Sequence, residues 1–328
     1  MTENSLLLSS SPHIHGKTTT RRIMLDVIIA LLPVLVGAIV FFGWRALTVT
    51  LVSVAACVFF EWGYRKLMKL DCTVGDLSAV VTGILIAYVC PVTISYWILI
   101  IGDFIAIIIV KQLFGGIGKN FMNPALTARA FMLISWPLAM TTWAQNGSSV
   151  GIFTRAADAI TSATPLSQVA EDGAASVKLL DLFLGKTGGC LGEVSAILLL
   201  IGGIYLIIRK VISVRIPLAF LGTVAVLAFL LPQNGCDRLY WTGFQVLSGG
   251  VMLGALFMAT DYVTTPVTRL GQILFGIGCG AITILIRYLG SYPDGVSFAI
   301  LLMNACVGVF DRIGRLPRFG KVKGGAAK

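Results

Sequence analysis

The run Ile23-Met-Leu-Asp-Val-Ile-Ile-Ala-Leu-Leu-Pro-Val-Leu-Val-Gly-Ala-Ile-Val-Phe-Phe-Gly43 decides the fold class of this chain. It holds a single charged residue, Asp26, over about twenty positions, and an α-helix of that length spans the roughly 30 Å hydrocarbon core of a bilayer. Similar apolar runs recur along the sequence. Only 12% of the 328 residues are charged, compared with about 25% in a soluble domain. The sequence therefore predicts an all-α, polytopic membrane protein.

Outward from this run, we predict about ten transmembrane helices in two groups of five, separated by a long polar interval. The predicted spans are 23–43, 45–64, 73–90, 94–111, 122–142, 191–208, 216–232, 242–260, 270–289 and 296–311. The first group covers 23–142 and the second covers 191–311. The other segments are an N-terminal tail at 1–22, a loop at 143–190 and a basic C-terminal tail at 312–328.

Lysine and arginine set the predicted orientation. If the N-terminal tail is cytoplasmic, that side of the membrane collects eighteen of the 25 basic residues, Lys111 among them, and the opposite side collects six. Positive charge accumulates on the cytoplasmic side of membrane proteins. Both termini are therefore predicted on the cytoplasmic side of a cell inner membrane, with the 143–190 loop outside. Because the net charge of +10 is spread over short loops, no nucleic-acid partner is predicted.

Two of the spans look interrupted. The third, Asp76-Leu-Ser-Ala-Val-Val-Thr-Gly-Ile-Leu-Ile-Ala-Tyr-Val-Cys-Pro91, is short and ends at a proline, and the eighth carries the pair Gly249-Gly250. Broken helices at matching positions in two halves of opposite polarity indicate two inverted five-helix repeats around a central site. The alternative is a chance pair of glycine-rich packing helices.

A glycine-rich segment, Phe114-Gly-Gly-Ile-Gly-Lys-Asn-Phe-Met-Asn-Pro124, follows the fourth span. Its glycines and asparagines are Gly115, Gly116, Gly118, Asn120 and Asn123. Pro124 can start a helix, and the free amides of a helix N-terminus beside Lys119 suit a phosphate or an electron-rich ring system. The alternative, to which the residues alone give equal weight, is a plain cytoplasmic turn between spans four and five.

Ionisable groups inside a membrane are functional candidates, because their burial there is costly. Glu61, Asp103 and Asp311 are each bounded by apolar sequence, and we predict them as candidates for an ion pathway. Asp103 and Arg129 lie deepest, so a structural ion pair between these two is an equally good interpretation. The seven cysteines show no Cys-x-x-Cys spacing, and no metal site is predicted.

The polar interval contains Asp158-Ala-Ile-Thr-Ser-Ala-Thr164. Small residues flank its last hydroxyl and let a bulky partner approach, but nothing in the composition says what such a hydroxyl does. The stretch resembles an Asp-x-x-Ser/Thr-Gly-Ala-Thr signature, in which the last threonine carries FMN through a phosphoester bond. On this resemblance the motif consists of Asp158, Thr161, Ser162, Ala163 and Thr164, and Ser162 stands where the signature usually has glycine.

Three stretches together resemble the NqrB/RnfD family. They are 113–131, 158–166 and Met258-Ala-Thr-Asp-Tyr-Val-Thr-Thr-Pro266, and their order and spacing match as well as their residues. The ten spans and the short N-terminal tail look more like the RnfD branch than NqrB, which carries a longer N-terminal extension. The resemblance covers essentially the whole chain.

This resemblance implies a membrane subunit of the Rnf complex, which passes electrons from reduced ferredoxin to NAD and couples them to Na⁺ or H⁺ export. The chain would be one part of that oxidoreductase and translocase, not catalytic alone. Covalent FMN would sit on Thr164, making the chain a flavoprotein and a phosphoprotein. A second, non-covalent riboflavin or FMN would bind near 115–120 and the broken spans, as in NqrB. Expected partners are the lipid bilayer and the rest of the Rnf complex, especially its FMN-carrying G subunit and its membrane-embedded A and E subunits.

Two other functions stay open at this point. The broken helices alone favour a solute permease or channel, which has no need of a flavinylation motif. A structural scaffold within a redox complex, with Thr164 unmodified, is the second. Thr164→Ala separates the scaffold from the flavoprotein, because only the flavoprotein loses electron flow.

Overall fold

A computed structural model of the chain describes residues 18–144, 165–166, 178–185, 187–193, 195–233, 236–290 and 294–313. Within these ranges the regular elements are helices, and no strand occurs. The predicted all-α class is therefore confirmed for the part of the chain that the structure describes.

The first half runs through six helices. They are α1 (Thr20–Phe42), α2 (Trp44–Leu67), α3 (Ser78–Tyr88), α4 (Tyr96–Phe104), α5 (Pro124–Ser135) and α6 (Pro137–Thr141). α4 continues directly as a π-helix over Ile105–Gln112. Gly43 separates α1 from α2 and has a φ of 78°, a backbone that residues with a Cβ rarely adopt. The chain can therefore turn there within one residue.

The second half repeats this all-helical course. Its helices are α7 (Leu179–Leu184), α8 (Ala196–Ile208), α9 (Arg215–Leu230), α10 (Arg238–Leu247), α11 (Val251–Leu253), α12 (Arg269–Leu289), α13 (Val296–Ala305) and α14 (Val307–Ile313). α11 continues as a π-helix over Gly254–Met258. Thr268 caps α12, because its hydroxyl accepts a hydrogen bond from Gly271 N.

Three helices, α1, α2 and α12, are long and apolar enough to cross a membrane. Two bent pairs, α10 with α11 and α13 with α14, bring the number to five among the described residues. The remaining apolar helices α3, α5, α8 and α9 are shorter than 18 residues. Large apolar side chains face outward, for example Val40 and Leu218, which are 74% and 69% exposed. These features are those of a polytopic membrane protein.

The helices break in both regions where the sequence looks interrupted. α10 and α11 meet at an angle of 62°, and Gly249 between them has a φ of 63°. A Cβ on Gly249 would lie 2.8 Å from Nη2 of Arg287, so the bend depends on a residue without a side chain. The predicted span 73–90 is divided into a short 3-10 helix, Val74–Asp76, and the 11 residues of α3, with Leu77 between them in a left-handed backbone conformation.

Helices from the two halves pack against each other in one core. α1 contacts α8 at Gly202, where a Cβ would overlap the carbonyl oxygen of Ala30. The same two helices are tied by Asp26, whose Oδ1 accepts a hydrogen bond from Tyr205 Oη at 3.1 Å. Arg209 Nη2 lies 3.3 Å from Oδ2 of the same carboxylate. The first helix of one half is thereby fixed to the first long helix of the other.

Candidate functional site

A largely apolar cavity of about 790 Å³, its opening included, lies where the glycine-rich segment meets both interrupted regions. Apolar side chains from α1, α3, α8 and the π-helix after α11 form most of its wall. Polar atoms come from Ser78, Thr82, Lys111, Asn120, Asn123 and Asp261. Binding sites for small molecules and cofactors show this mixture of apolar surface with a few polar groups.

The start of α5 forms one wall of the cavity, and its predicted N-terminus is confirmed. α5 begins at Pro124, and Oδ1 of Asn123 accepts hydrogen bonds from the backbone N–H groups of Ala125 and Leu126 at 3.0 and 3.3 Å. Nδ2 of Asn123 donates to the carbonyl oxygen of Met258 at 3.3 Å. Two of the three stretches that carry the family resemblance therefore meet at this cavity.

The three glycines of the 115–120 segment adopt left-handed backbone conformations. Their φ angles are 107° at Gly115, 91° at Gly116 and 89° at Gly118, and such angles favour glycine over every other residue. Of the five residues predicted around a second flavin, Asn120 and Asn123 line the cavity, whereas the glycines shape the turn beside it. Asn120 Nδ2 donates to the carbonyl oxygen of Met122 at 3.1 Å, which holds this turn.

A buried ion pair lies beside the cavity. Nζ of Lys111 is 2.8 Å from Oε2 of Glu61 and 2.7 Å from Oγ of Ser78. Oγ1 of Thr73 donates to the other oxygen of Glu61 at 2.6 Å. The predicted orientation counts Lys111, the last residue of the fourth span, on the cytoplasmic side, and the structure adds that its side chain is buried and paired. The π-helix carries Lys111 inward, where it is 3% exposed and pairs with a carboxylate fifty residues away.

A second cavity, of about 460 Å³, is lined by Pro165 and Leu166, the two residues that follow Thr164. Arg129, Glu193 and Asp294 contribute charged groups to its wall. Oε1 of Glu193 and Oδ1 of Asp294 are buried and have no hydrogen-bond partner. Each of these two oxygens instead lies at ion-pair distance from a guanidinium group, Glu193 from Arg129 at 3.6 Å and Asp294 from Arg287 at 3.5 Å.

Arg129 and Asp103 do not form the ion pair that their positions deep within the predicted spans suggested. Nη1 of Arg129 lies 3.6 Å from Oε1 of Glu193, and its Nη2 lies 3.3 Å from Oδ2 of Asp294. Arg287 approaches the other oxygen of Asp294 at 3.5 Å. Two guanidinium groups thus face two carboxylates, and Arg129 is neutralised by acids from the second half of the chain. Asp103 belongs to a different cluster.

Asp103 is fully buried between α2, α3 and α4. Its Oδ1 lies 2.7 Å from Oγ of Ser53 and 3.5 Å from Sγ of Cys57. Its Oδ2 is buried and has no hydrogen-bond partner. None of the ion pairs among the described residues involves this side chain.

Asp311, the third predicted ion-pathway residue, lies far from these clusters along the chain. Its carboxylate accepts hydrogen bonds at the N-terminal end of α12. Its Oδ1 accepts hydrogen bonds from the backbone N–H groups of Val267 and Thr268 at 2.9 and 3.3 Å. These residues precede α12, so the carboxylate interacts favourably with the positive end of that helix. The structure places Glu61, Asp103 and Asp311 in three separate environments.

The predicted flavin motif lies outside the described residues. This applies to Asp158, Thr161, Ser162, Ala163 and Thr164. What the structure describes is the cavity wall directly after the motif, at Pro165 and Leu166.

Sequence reasoning missed the ionic cluster of Arg129, Glu193, Arg287 and Asp294. Glu193 and Asp294 stand at the edges of predicted spans, where charged residues are usually solvated, and this made them inconspicuous. Their neighbours were the available signal, because glycines at 189, 192, 290 and 295 allow the close backbone approach that a buried cluster requires.

Comparisons with known proteins agree with this architecture. Residues 7–320 match the model of the NQR2, RnfD, RnfE family. One similar protein is the D subunit of the Na⁺-translocating ferredoxin:NAD⁺ oxidoreductase complex of Acetobacterium woodii. The chain is 47% identical to it over 326 residues, which cover 98% of each protein.

Two further relatives carry similar names. One is the D subunit of the proton-translocating ferredoxin:NAD⁺ oxidoreductase complex of Clostridium ljungdahlii, 40% identical with 97% of each chain covered. The other is the D subunit of the ion-translocating oxidoreductase complex of Escherichia coli O7:K1, 34% identical with 97% of this chain and 99% of that protein covered. With a cavity at its glycine-rich turn and similarity along nearly its whole length, the chain belongs to the NQR2, RnfD, RnfE family.

Proposed function

We propose that this chain is a membrane subunit of an Rnf-type complex, which relays electrons between ferredoxin and NAD and couples the relay to Na⁺ or H⁺ translocation. The observation that carries the proposal is similarity over 98% of the chain to a protein named as the D subunit of such a complex. One subunit supplies part of the electron route, so the chain is a component of an oxidoreductase and translocase and is not catalytic alone.

The proposed architecture is a pair of inverted five-helix repeats, 23–142 and 191–311. In the first half α2 contacts α3 and α4, and in the second half α9 contacts α10 and α12. The first helices of the halves, α1 and α8, contact each other, as do α5 and α13. These matched contacts support two related units joined by an external loop at 143–190. The tails at 1–22 and 312–328 would lie in the cytoplasm, on the inner side of the cell membrane.

The external loop carries covalent FMN on Thr164 in this proposal. A modifying enzyme would transfer FMN from FAD, so that the threonine oxygen would replace AMP on the flavin-side phosphorus and AMP and the hydroxyl proton would be released. When bound, FMN supplies reversible uptake of electrons. The cavity at Pro165 and Leu166 supports this assignment, because its apolar wall begins at the residue directly after Thr164.

The same proposal assigns a second, non-covalent riboflavin or FMN to the larger cavity. Its apolar wall would hold the ring system, and the amides of Asn120 and Asn123 would offer hydrogen bonds to ring heteroatoms. Lys111 lines the same wall, where its charge is compensated by Glu61. In this proposal the chain's residues position the flavin and surround its ring with apolar side chains.

Glu61, Asp103 and Asp311 remain the proposed ion-pathway residues. Asn or Gln at a true coupling position leaves electron transfer running but stops ion uptake into sealed vesicles. Unchanged uptake for all three variants removes this part of the proposal.

The proposed partners belong to the same complex. An FMN-carrying G subunit on the outer side is the natural electron donor or acceptor for a flavin on the external loop, and the membrane-embedded A and E subunits would pack against the exposed apolar helix faces. A solute permease or channel is the alternative function, because broken helices around a cavity are typical of transporters.

In-gel flavin fluorescence tests the proposal. The complex is denatured, the subunit is scanned for fluorescence, and the peptide covering 156–178 is analysed by mass spectrometry. We expect the mass of FMN minus water on Thr164, and no fluorescence in Thr164→Ala. Thr142→Ala, which removes another hydroxyl shortly before the loop, is the matched control and keeps the signal. An unmodified Thr164 in cells that make the modifying enzyme favours the permease.

A further inference from the structure

One hydroxyl in the first half has two acceptors and a single proton to give. Oγ of Ser53 lies 2.9 Å from the carbonyl oxygen of Gly83 and 2.7 Å from Oδ1 of Asp103. Both distances are those of good O–H···O hydrogen bonds. A serine hydroxyl donates only once, so with an ionised Asp103 one of these contacts would bring two acceptors together without a hydrogen.

A proton on Asp103 resolves the conflict. The carboxyl O–H at Oδ1 then donates to Ser53, and the Ser53 hydroxyl donates to Gly83, so that each contact contains one hydrogen. The remaining oxygen, Oδ2, has no hydrogen-bond partner. An unpaired carbonyl oxygen of a neutral acid is far less costly in an apolar interior than an unpaired carboxylate.

The charged surroundings agree with a neutral acid. Titratable groups on the neighbouring elements include Cys57 and Glu61 on α2, Cys90 after α3, Lys111 on the π-helix and Arg129 on α5. Lys111 already pairs with Glu61, and Arg129 already pairs with two other acids. Cys57 lies 3.5 Å from Oδ1 and brings no positive charge. Among the described residues, no cation compensates Asp103.

We propose that Asp103 holds a proton in the membrane interior and, as a neutral acid, completes a hydrogen-bond chain from α4 through Ser53 of α2 to the backbone of α3. A sodium ion is a poorer occupant, because hard cations collect about six or more oxygen ligands and this cluster offers only the carboxyl group, one hydroxyl and one carbonyl.

The chain of hydrogen bonds ends on α3, the helix that also forms part of the wall of the larger cavity. α3 packs so closely on α2 that a Cβ on Gly83 would lie 2.8 Å from Cα of Val54, and the opposite face of α3 carries Val81 and Thr82 in the cavity wall. Loss of the proton breaks one of the two Ser53 contacts and loosens α3. The proton on Asp103 thus stabilises one wall of the site that the proposed function gives to a second flavin, although its presence does not depend on any flavin.

Infrared difference spectroscopy of the intact complex in lipid tests the inference. The C=O stretch of a protonated carboxyl group is separate from carboxylate and amide bands and shifts in D₂O. We expect the wild-type spectrum to contain such a band at neutral pH, and Asp103→Asn to lose it. Asp311→Asn, which changes a carboxylate held by backbone N–H groups, is the matched control and leaves the band unchanged.

Ser53→Ala checks the assignment, because removal of the hydrogen-bond acceptor moves the band without abolishing it. Asn is neutral and its amide can donate to Ser53, so Asp103→Asn should assemble at wild-type levels.

A spectrum that Asp103→Asn leaves unchanged overturns the proposal. So does a band that disappears when sodium chloride replaces potassium chloride, because Asp103 is then a sodium ligand. The flavin content of the complex is measured separately. Absence of flavin with the infrared band retained counts against the proposed function and leaves the inference about Asp103 standing.

Discussion

Lys111 and Glu61, fifty positions apart, form an ion pair of 2.8 Å in which both side chains are almost fully buried. The π-helical turn that contains Lys111 directs it into the protein, and Ser78 and Thr73 occupy further hydrogen-bonding positions of the pair. A buried pair of this kind compensates each charge only while the other is present. Removing one partner or both partners therefore measures how much the ion pair contributes to the free energy of unfolding.

Glu61→Gln should destabilise the protein by about 3–5 kcal/mol, because Lys111 is left as an uncompensated buried charge. The double variant Glu61→Gln, Lys111→Met should regain much of this loss. Thermal unfolding of the purified complex in detergent measures both effects. Arg209→Gln is the control: Arg209 pairs with Asp26 but its side chain is 40% exposed, and such pairs contribute at most about 1 kcal/mol. If the effects of Glu61→Gln and Lys111→Met on the free energy of unfolding simply add, the two charges do not compensate each other and the interpretation is wrong.

Leu206→Trp should fill part of the larger cavity and lower the amount of flavin released from the purified protein by denaturation. Leu206 lines this cavity and is 1% exposed. Ile204→Trp on the same helix is the matched control, because Ile204 is 52% exposed and faces away from it. Fluorescence that survives denaturation should stay unchanged in both variants. Equal release of flavin from wild type and Leu206→Trp shows that the cavity is not its site.

Gly249→Ala should destabilise the protein by about 1–3 kcal/mol, because alanine is strained in a left-handed conformation and its Cβ would meet Arg287. Gly222→Ala on α9 should do the opposite. Nothing lies within 4 Å of a Cβ at Gly222, and alanine gains up to about 1 kcal/mol in a helix. The melting temperatures of the two variants test this prediction. If Gly249→Ala leaves the melting temperature unchanged, the bend between α10 and α11 does not need glycine.

Asp311→Asn and Asp311→Ala distinguish a helix cap from an ion-binding residue. A cap accepts asparagine with little loss, whereas alanine costs about 0.5–2 kcal/mol because the N–H groups of Val267 and Thr268 lose their acceptor. An ion-binding carboxylate fails with either residue. Ion uptake by sealed vesicles and thermal stability are measured side by side. Wild-type uptake in Asp311→Asn removes Asp311 from the ion pathway, and abolished uptake at unchanged stability keeps it there.

The sequence predicted features that depend on local physics. Apolar runs predicted the helical membrane class, and the segment before Pro124 predicted the start of α5, because a capping asparagine and a proline act on their own neighbours. Partners across long separations were not predictable. Arg129 bonds to residues that follow it by about sixty or more positions, and the glycines near Glu193 and Asp294 indicate a close backbone approach there without identifying Arg129 as the partner. The inward position of Lys111 likewise depends on a π-helical turn that has no sequence signature.

The contact between α1 and α8 constrains how the protein is made. Asp26 emerges from the ribosome 179 residues before its partner Tyr205, an interval of roughly ten to forty seconds at about 5–20 residues per second. During that time the first helix carries a carboxylate without its hydrogen-bond donors into a lipid environment. Asp26 therefore waits for its hydrogen-bond donors until α8 has been made, and the contact between α1 and α8 forms only after more than half of the 328 residues have been synthesised.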